Sequence, residues 1–286
     1  MRIGIDLSFS TPEQFRADAA IAKDVDSLWT YQATGGWDAL LALTTLGGTQ
    51  ELGTAVVPTY PRHPAVLAGE ALTLQALTGG RFTLGIGPSH ESLMTGQYGI
   101  PYTAPARHTR EYLEVLRPLL RGEHVKHAGE FFTVDTALTI PADPPPVLIA
   151  ALGPRMLEVA RDLADGTIAT WIRPDTVSDY LVPRLGDGAR VAAGVMVAVT
   201  NDPDGAREQF ARQFEFVNSF PAYRAVLERD GSSGPADTLV AGPEEVVHRE
   251  IRRFADAGTT DLLVAPYGDL RRMVDVVTAG ARMLEP

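Results

Sequence analysis

Side chains able to do chemistry are few in this chain. It has six histidines and no cysteine in 286 residues, and its only lysines are Lys23 and Lys126. Without cysteine there is no thiolate nucleophile, disulfide framework, zinc–thiolate site or iron–sulfur site. With two lysines, a Schiff-base mechanism has little to draw on. His63, His108, His124, His127 and His248 are spread along the chain with no spacing that gathers a metal-ligand set. His90 differs because it follows the glycine-rich run GIGPS. A lone histidine is as readily a satisfied polar residue, so its position is what makes it a candidate. The segment AALGPRML at 150–157 could hold an anion. Gly153 permits close backbone approach, Pro154 can open a helix, Arg155 adds charge, and free amides at a helix start attract phosphate. A plain strand-to-helix turn would carry the same Gly-Pro pair. The stretch VVPTYPRHP at 56–64 places three prolines in one short run. It reads as a rigid strand exit or as a bulge offering backbone to a flat ligand. Arg62 within it is expected to pair with acids at a rim.

These residues need elements to position them, and the pattern alternates strand and helix. Strands are expected at 2–7, 27–31, 52–58, 80–87, 146–152, 165–172, 189–200 and 260–267. Helices are expected at 12–24, 38–46, 64–77, 106–121, 155–163, 177–185, 243–257 and 270–283. Thr11, Pro12 and Gln14 read as a capping box opening the first helix. A long loop is expected from Pro88 to about Pro105, and GEFFTV at 129–134 reads as a hairpin arm outside the repeat. Eight apolar strands alternating with helices imply a parallel sheet closed into a (β/α)8 TIM barrel. An open doubly wound sheet would want a glycine-rich fingerprint after the first strand, where Leu7-Ser8-Phe9-Ser10 stands instead. A polar helical insertion at about 203–235 follows the seventh strand. No linker divides residues 1–286, so one domain is expected.

Barrel sites lie at the C-terminal strand ends. Here those positions include Ser8 and Phe9, Tyr31 and Gln32, 55–60, 87–90, 150–155, 171–173, Thr200 and Tyr267. The set is rich in glycine, small residues and aromatics and poor in carboxylates. That disfavours glycosidase chemistry, which needs a carboxyl pair, and suits a planar ligand. Of the three tryptophans, which usually serve as core or wall, Trp171 has the best claim to the site because it ends the sixth strand. The net charge of −11, with no basic cluster, disfavours nucleic acid as a partner. No apolar run approaches the ~18 residues of a membrane span, and the first residues lack a signal-peptide core. A cytoplasmic protein with a small-molecule substrate is expected.

The segments GTAVVPTYPRHPAVLA at 53–68, GGRFTLGIGPSH at 79–90, ALGPRMLEVARDLADGTI at 151–168 and GPEEVVHREIRRFADAGTTDLLV at 242–264 resemble the luciferase-like oxidoreductases. Within that family the chain is similar to an actinobacterial branch that uses coenzyme F-420, an 8-hydroxy-5-deazaflavin. The resemblance implies a bacterial-luciferase-like barrel in which a non-prolyl cis peptide at Ala55-Val56 backs the deazaflavin ring. It implies that Pro88, Ser89 and His90 border the ring and ribityl chain, and that Ala151, Leu152, Gly153 and Pro154 hold the phosphate. Some relatives carry Asp-His at the end of strand two, where this chain has Tyr31 and Gln32. Sugar-phosphate dehydrogenase relatives carry Glu where His90 stands. Leu152 replaces a second glycine often found in the phosphate turn. The first two departures argue against a sugar-phosphate dehydrogenase.

The expected reaction is hydride transfer between reduced deazaflavin and an electron-poor C=C, C=N or C=O bond, with His90 or Tyr31 as proton source and Gln32 and Trp171 as substrate contacts. An FMN-dependent monooxygenase is the alternative, and a non-catalytic cofactor-binding protein a third. The insertion, with Phe220 and Tyr223, is expected to close over the mouth. Relatives are commonly homodimers through helices two and three, and the same is expected here.

Overall fold

A computed structural model describes residues 1–8 and 10–284. Eight parallel strands form the barrel: β1 (Arg2–Asp6), β2 (Ser27–Thr30), β3 (Glu51–Thr54), β4 (Phe82–Gly87), β5 (Val147–Ala150), β6 (Gly166–Thr170), β7 (Arg190–Val199) and β8 (Asp261–Pro266). Each pairs with the next, and β8 pairs back onto β1, so no strand edge is left open. The outer helices are α1 (Pro12–Ile21), α2 (Ala39–Leu43), α3 (Pro64–Leu77), α4 (Pro105–Leu120), α5 (Pro154–Leu163), a helical run α6 over 174–185, α7 (Glu244–Asp256) and α8 (Leu270–Arg282). Five of them begin on proline, at 12, 64, 105, 154 and 174, which costs no hydrogen bond there because that N–H has no helical partner.

Side-chain alternation divides the barrel into two apolar compartments. Ile3, Ile5 and Leu7 point outward into the large core between sheet and helices. Trp29, Leu148, Ile168, Ala192 and Leu263 fill the interior. The Trp29 ring is admitted by two glycines. A Cβ on Gly53 would stand 2.2 Å from it, and one on Gly4 2.8 Å. Its indole N–H donates to Ser27 Oγ at 2.8 Å, which satisfies the one polar atom of the plug. Beneath, at the strand starts, Arg190 binds Asp261 at 2.7 Å and Glu51 at 3.1 Å, and Arg2 binds Glu51 at 2.6 Å.

Several sequence expectations need correction. The third strand does not run unbroken over 52–58. Leu52 pairs with Phe82, but Val57 pairs with Ile86, so β3 carries one extra residue before the short segment Val57–Pro58 resumes pairing. This is a bulge. The expected loop after β4 contains a helix, Glu91–Tyr98, hidden in the sequence because it buries only Met94. Thr11 caps α1 as expected, but the Gln14 side chain turns to Asp18 at 2.7 Å, so the return half of the capping box does not form. The hairpin pairs Val125–Ala128 with Thr133–Thr136, and 129–132 is its turn. After β7 come helices Pro203–Gln213 and Pro221–Arg229 joined by a 3-10 turn, then a short strand, Val240–Gly242, parallel to the end of β7.

Candidate functional site

The bulge shapes the top of the barrel. The Ala55–Val56 peptide is cis, as the resemblance implied. Ala55 N–H donates to Thr30 O at 2.8 Å, and Gln32 N–H donates to Val56 O at 3.1 Å. Thr54 replaces the missing ladder bonds with its hydroxyl, which donates to Gly85 O and accepts from Gly85 N–H, both at 2.8 Å. The contact requires glycine, because a Cβ at 85 would lie 1.8 Å from Thr54 O. Gly87 is crowded as well: its Cβ would meet Ala150 Cβ at 2.9 Å and Val56 Cγ2 at 3.0 Å. Three strand ends thus converge behind Val56.

The β4 exit turns at Ser89, whose φ of 62° is left-handed. Such a backbone is uncommon for serine. Tyr102 holds it by donating its hydroxyl to Ser89 O at 3.1 Å. Tyr102 stacks on Tyr60 at 4.7 Å, and Tyr60 on His108 at 3.9 Å. The bulge segment and the Ser89 loop are therefore bound by one aromatic column.

His90 lies beneath the insertion. Phe220 stacks on its ring at 3.9 Å, and Tyr223 meets it edge-on at 4.8 Å. Trp171 has a φ of 61° and packs on Phe214 at 5.5 Å and Tyr223 at 6.1 Å. The insertion thus sets aromatic faces against His90 and Trp171 at the strand ends. Burial lowers the His90 pKa to about 4, so the imidazole is neutral near pH 7 and is a poor acid.

A better acid stands where the sequence reading did not look. Asp6 ends β1 and lies on the same face of the strand as Gly4, toward the barrel interior. Its Oδ1 is shut from solvent and has no hydrogen-bond partner. Burial raises its pKa to about 7. Tyr31, 47 % exposed, has its hydroxyl pushed up by burial and then by the Asp6 charge. Placing the strand end at Leu7 directed attention to Ser8 and Phe9, and Phe9 lies outside the described residues. The available signal was an acid on the inward alternation of an apolar strand.

The remaining candidates separate clearly. Gly153 caps α5, with open space around its Cβ position. With Pro154 next, the helix start leaves the N–H groups of Gly153 and Arg155 outside the helical hydrogen bonding, where an anion could take them. Leu152 packs against the outer core. Gln32 spends its Oε1 on Ala39 N–H at 3.0 Å, which ties β2 to α2. Arg62 pairs with Asp38 and Glu70, the expected rim role. Pro88 follows the last residue of β4. Among the described residues no group of three or more His, Asp or Glu is placed to hold a metal, and no helix is long and apolar enough to cross a membrane.

Known proteins resemble this chain in sequence and in fold. The family described as Luciferase-like monooxygenase matches residues 17–266. A 5,10-methylenetetrahydromethanopterin reductase of Archaeoglobus fulgidus is 32 % identical over 272 residues, covering 85 % of this chain and 79 % of the reductase. An F-420-dependent glucose-6-phosphate dehydrogenase of Nakamurella multipartita is 36 % identical over 148 residues, covering 49 % of this chain and 43 % of the enzyme. The solved structure of an F-420-dependent secondary alcohol dehydrogenase with an F-420–acetone adduct superposes with a TM-score of 0.83 at 19 % identity, over 100 % of this chain and 99 % of that one. That likeness is one of fold.

Proposed function

The chain belongs to the luciferase-like monooxygenase family, and from that premise we propose that it is an oxidoreductase working with coenzyme F-420 at the C-terminal strand ends. Its reaction is hydride transfer between the reduced deazaflavin and an electron-poor C=C, C=N or C=O bond of a small molecule. The Nakamurella multipartita relative, named for F-420 dependence, supports the cofactor. The residues fit it: a crowded backbone face at Ala55-Val56 and Gly87, a helix start with free amides at Gly153 and Arg155, and the buried, unpartnered Asp6 Oδ1.

Ala55 and Val56 would back the ring, with Pro88, Ser89 and His90 along its edge. The turn Ala151, Leu152, Gly153 and Pro154 would hold the phosphate, with the Gly153 N–H donating and Pro154, which has no N–H, opening the helix behind it. Bound cofactor supplies the hydride. The chain's own task is then to deliver or remove one proton, and the carrying observation is Asp6. A carboxyl titrating near 7 is half protonated at neutral pH and can do either. Tyr31 shares that charge environment and is the second candidate to relay the proton. His90, neutral at that pH, would serve as an aromatic and hydrogen-bonding wall. Trp171, with the free amide nitrogen of Gln32, would meet the substrate, and the insertion's aromatic faces would exclude water.

Titration of the protein with F-420 and with FMN, followed by fluorescence, tests the cofactor. F-420 is expected to bind, and its reduced form to be oxidised on adding enones or imines; binding of FMN alone would defeat the proposal. The working unit is a homodimer joined through α2 and α3. In support, the outer faces of α2 and α3 carry large apolar side chains, with Leu41, Val66 and Leu77 69 %, 55 % and 68 % exposed.

A further inference from the structure

The hairpin outside the barrel is tied to the candidate site by one carboxylate and four rings. Glu111 is buried on α4. Its Oε1 accepts from Phe132 N–H at 2.8 Å and Phe131 N–H at 3.0 Å, and its Oε2 accepts from Glu130 N–H at 3.0 Å. His127 Nε2 lies 3.1 Å from Oε1. Three successive amides of the hairpin turn thus close on one carboxylate, as a backbone nest closes on an anion. Burial works to raise the Glu111 pKa, but the backbone bonds outweigh it and hold the group below the usual carboxyl value. Gly129 belongs to the same arrangement, because a Cβ there would stand 2.1 Å from Glu111 Oε1.

Fixing the turn fixes two rings. Phe131 and Phe132 each meet His108 edge-on at 5.2 Å, and Phe132 also meets Tyr112 at 5.5 Å. His108 is buried and lies flat on Tyr60, 3.9 Å between centres and 4° from parallel. Tyr60 stacks in turn on Tyr102, whose hydroxyl holds Ser89 O. Ser89 needs that hold, because left-handed backbone is unfavourable for serine, and His90 follows it directly. Close-packed rings pass a displacement on, since a dense interior has little room to absorb it.

We propose that Glu111 is a positioning residue for the site. By clamping the hairpin turn it seats Phe132 on His108, and through Tyr60 and Tyr102 it sets the Ser89 turn and with it the direction of His90. It touches neither cofactor nor substrate. Its effect on cofactor binding rests on the F-420 assignment above; its hold on Ser89 does not.

Hydrogen exchange over residues 88–94, followed by mass spectrometry on the protein without added cofactor, tests that hold. Glu111→Gln and Tyr102→Phe should each speed exchange there about tenfold. The double variant should be no faster than the faster single, because both changes cut one series of contacts. Arg190→Ala, which weakens the opposite end of the barrel, should leave that segment unchanged. If Glu111→Gln does not fold, Phe132→Leu keeps the Glu111 bonds and cuts the series at its next link, with the same expected outcome. In titrations each single variant should bind F-420 about fivefold more weakly, and the double variant no worse than the weaker single. Faster exchange at 129–132 alone in Glu111→Gln would make the residue an anchor of the hairpin only and overturn the proposal. Additive effects in the double variant, or equal loosening of 88–94 in Arg190→Ala, would overturn it as well. Failure of the wild type to bind F-420 would instead remove the cofactor assignment, and the exchange result would still decide the proposal.

Discussion

Asp6 is the residue on which the chemistry turns. Its folded pKa of about 7 lies above the ordinary carboxyl value of 3.8, so ionisation is what the fold resists. If Asp6 donates the proton, kcat/KM for substrate reduction should fall as pH rises through about 7. Asp6→Asn should lose that dependence along with about a hundredfold or more of turnover, while still binding the cofactor. A flat profile in the wild type would dismiss Asp6 as the donor. The same shift has a stability consequence. Stabilisation is fully present below 3.8 and is lost as pH climbs through about 7, because the folded protein must then hold an unpaired charge. Asp6→Asn avoids that loss, so it should melt above the wild type at pH 8, with the gap closing toward pH 4. Little of this was legible in the sequence. His90 stood out because glycines precede it, and Asp6 did not, because ending the strand at Leu7 put Asp6 inside it and moved attention to the residues that follow.

Among the elements, the β3 bulge is the most demanding. Gly85→Ala would press a methyl against Thr54 O, so it should cost roughly 1–3 kcal/mol and lower the melting temperature together with cofactor affinity. Gly153→Ala meets open space and should melt like the wild type while weakening the cofactor alone. Comparing melts with titrations separates a glycine that shapes the barrel from one that leaves room for a ligand. If Gly153→Ala bound cofactor unchanged, the 151–154 turn would lose its role. The turn was readable because Gly-Pro at a helix start has a local mechanism, and the prolines at 12, 64 and 154 marked helix starts for the same reason. The bulge was not readable from pattern: TAVVP is a continuous apolar run, and nothing in it shows that one residue is surplus. The cis peptide came from resemblance. The helix Glu91–Tyr98 was missed because periodicity reports burial, and that helix buries only Met94.

For the whole molecule, the two ends of the barrel divide the work. Ser89 and Trp171 take left-handed backbone at the C-terminal end, and Arg190, Asp261, Glu51 and Arg2 pair their charges at the other. Asp261 is 1 % exposed and depends on Arg190, so Arg190→Ala should cost about 3 kcal/mol or more by leaving a buried carboxylate. It should lower the melting temperature while sparing turnover per folded molecule, since Arg190 lies at the start of β7. A selective loss of turnover would show that the two ends are not independent. Assembly is tested on the outer surface: Leu41→Glu or Val66→Glu should yield a monomer by light scattering where the wild type is a dimer, and a monomeric wild type would refute the dimer. Barrel class was the most legible property, because eight apolar strands alternating with helices leave few other ways to bury both faces of a sheet.

The plug inside the barrel bears on how such a chain can change over generations. Trp29 fits because Gly4 and Gly53 both lack a side chain, and the three positions are far apart in sequence. A first substitution at either glycine collides with the indole, while a first loss of the indole empties the centre of the barrel. Every single step is penalised, so the trio is expected to be inherited or replaced as a set. In descendants that have lost Trp29, the space should be filled from positions 4 and 53, making the three residues a marker of common ancestry independent of what the mouth of the barrel binds.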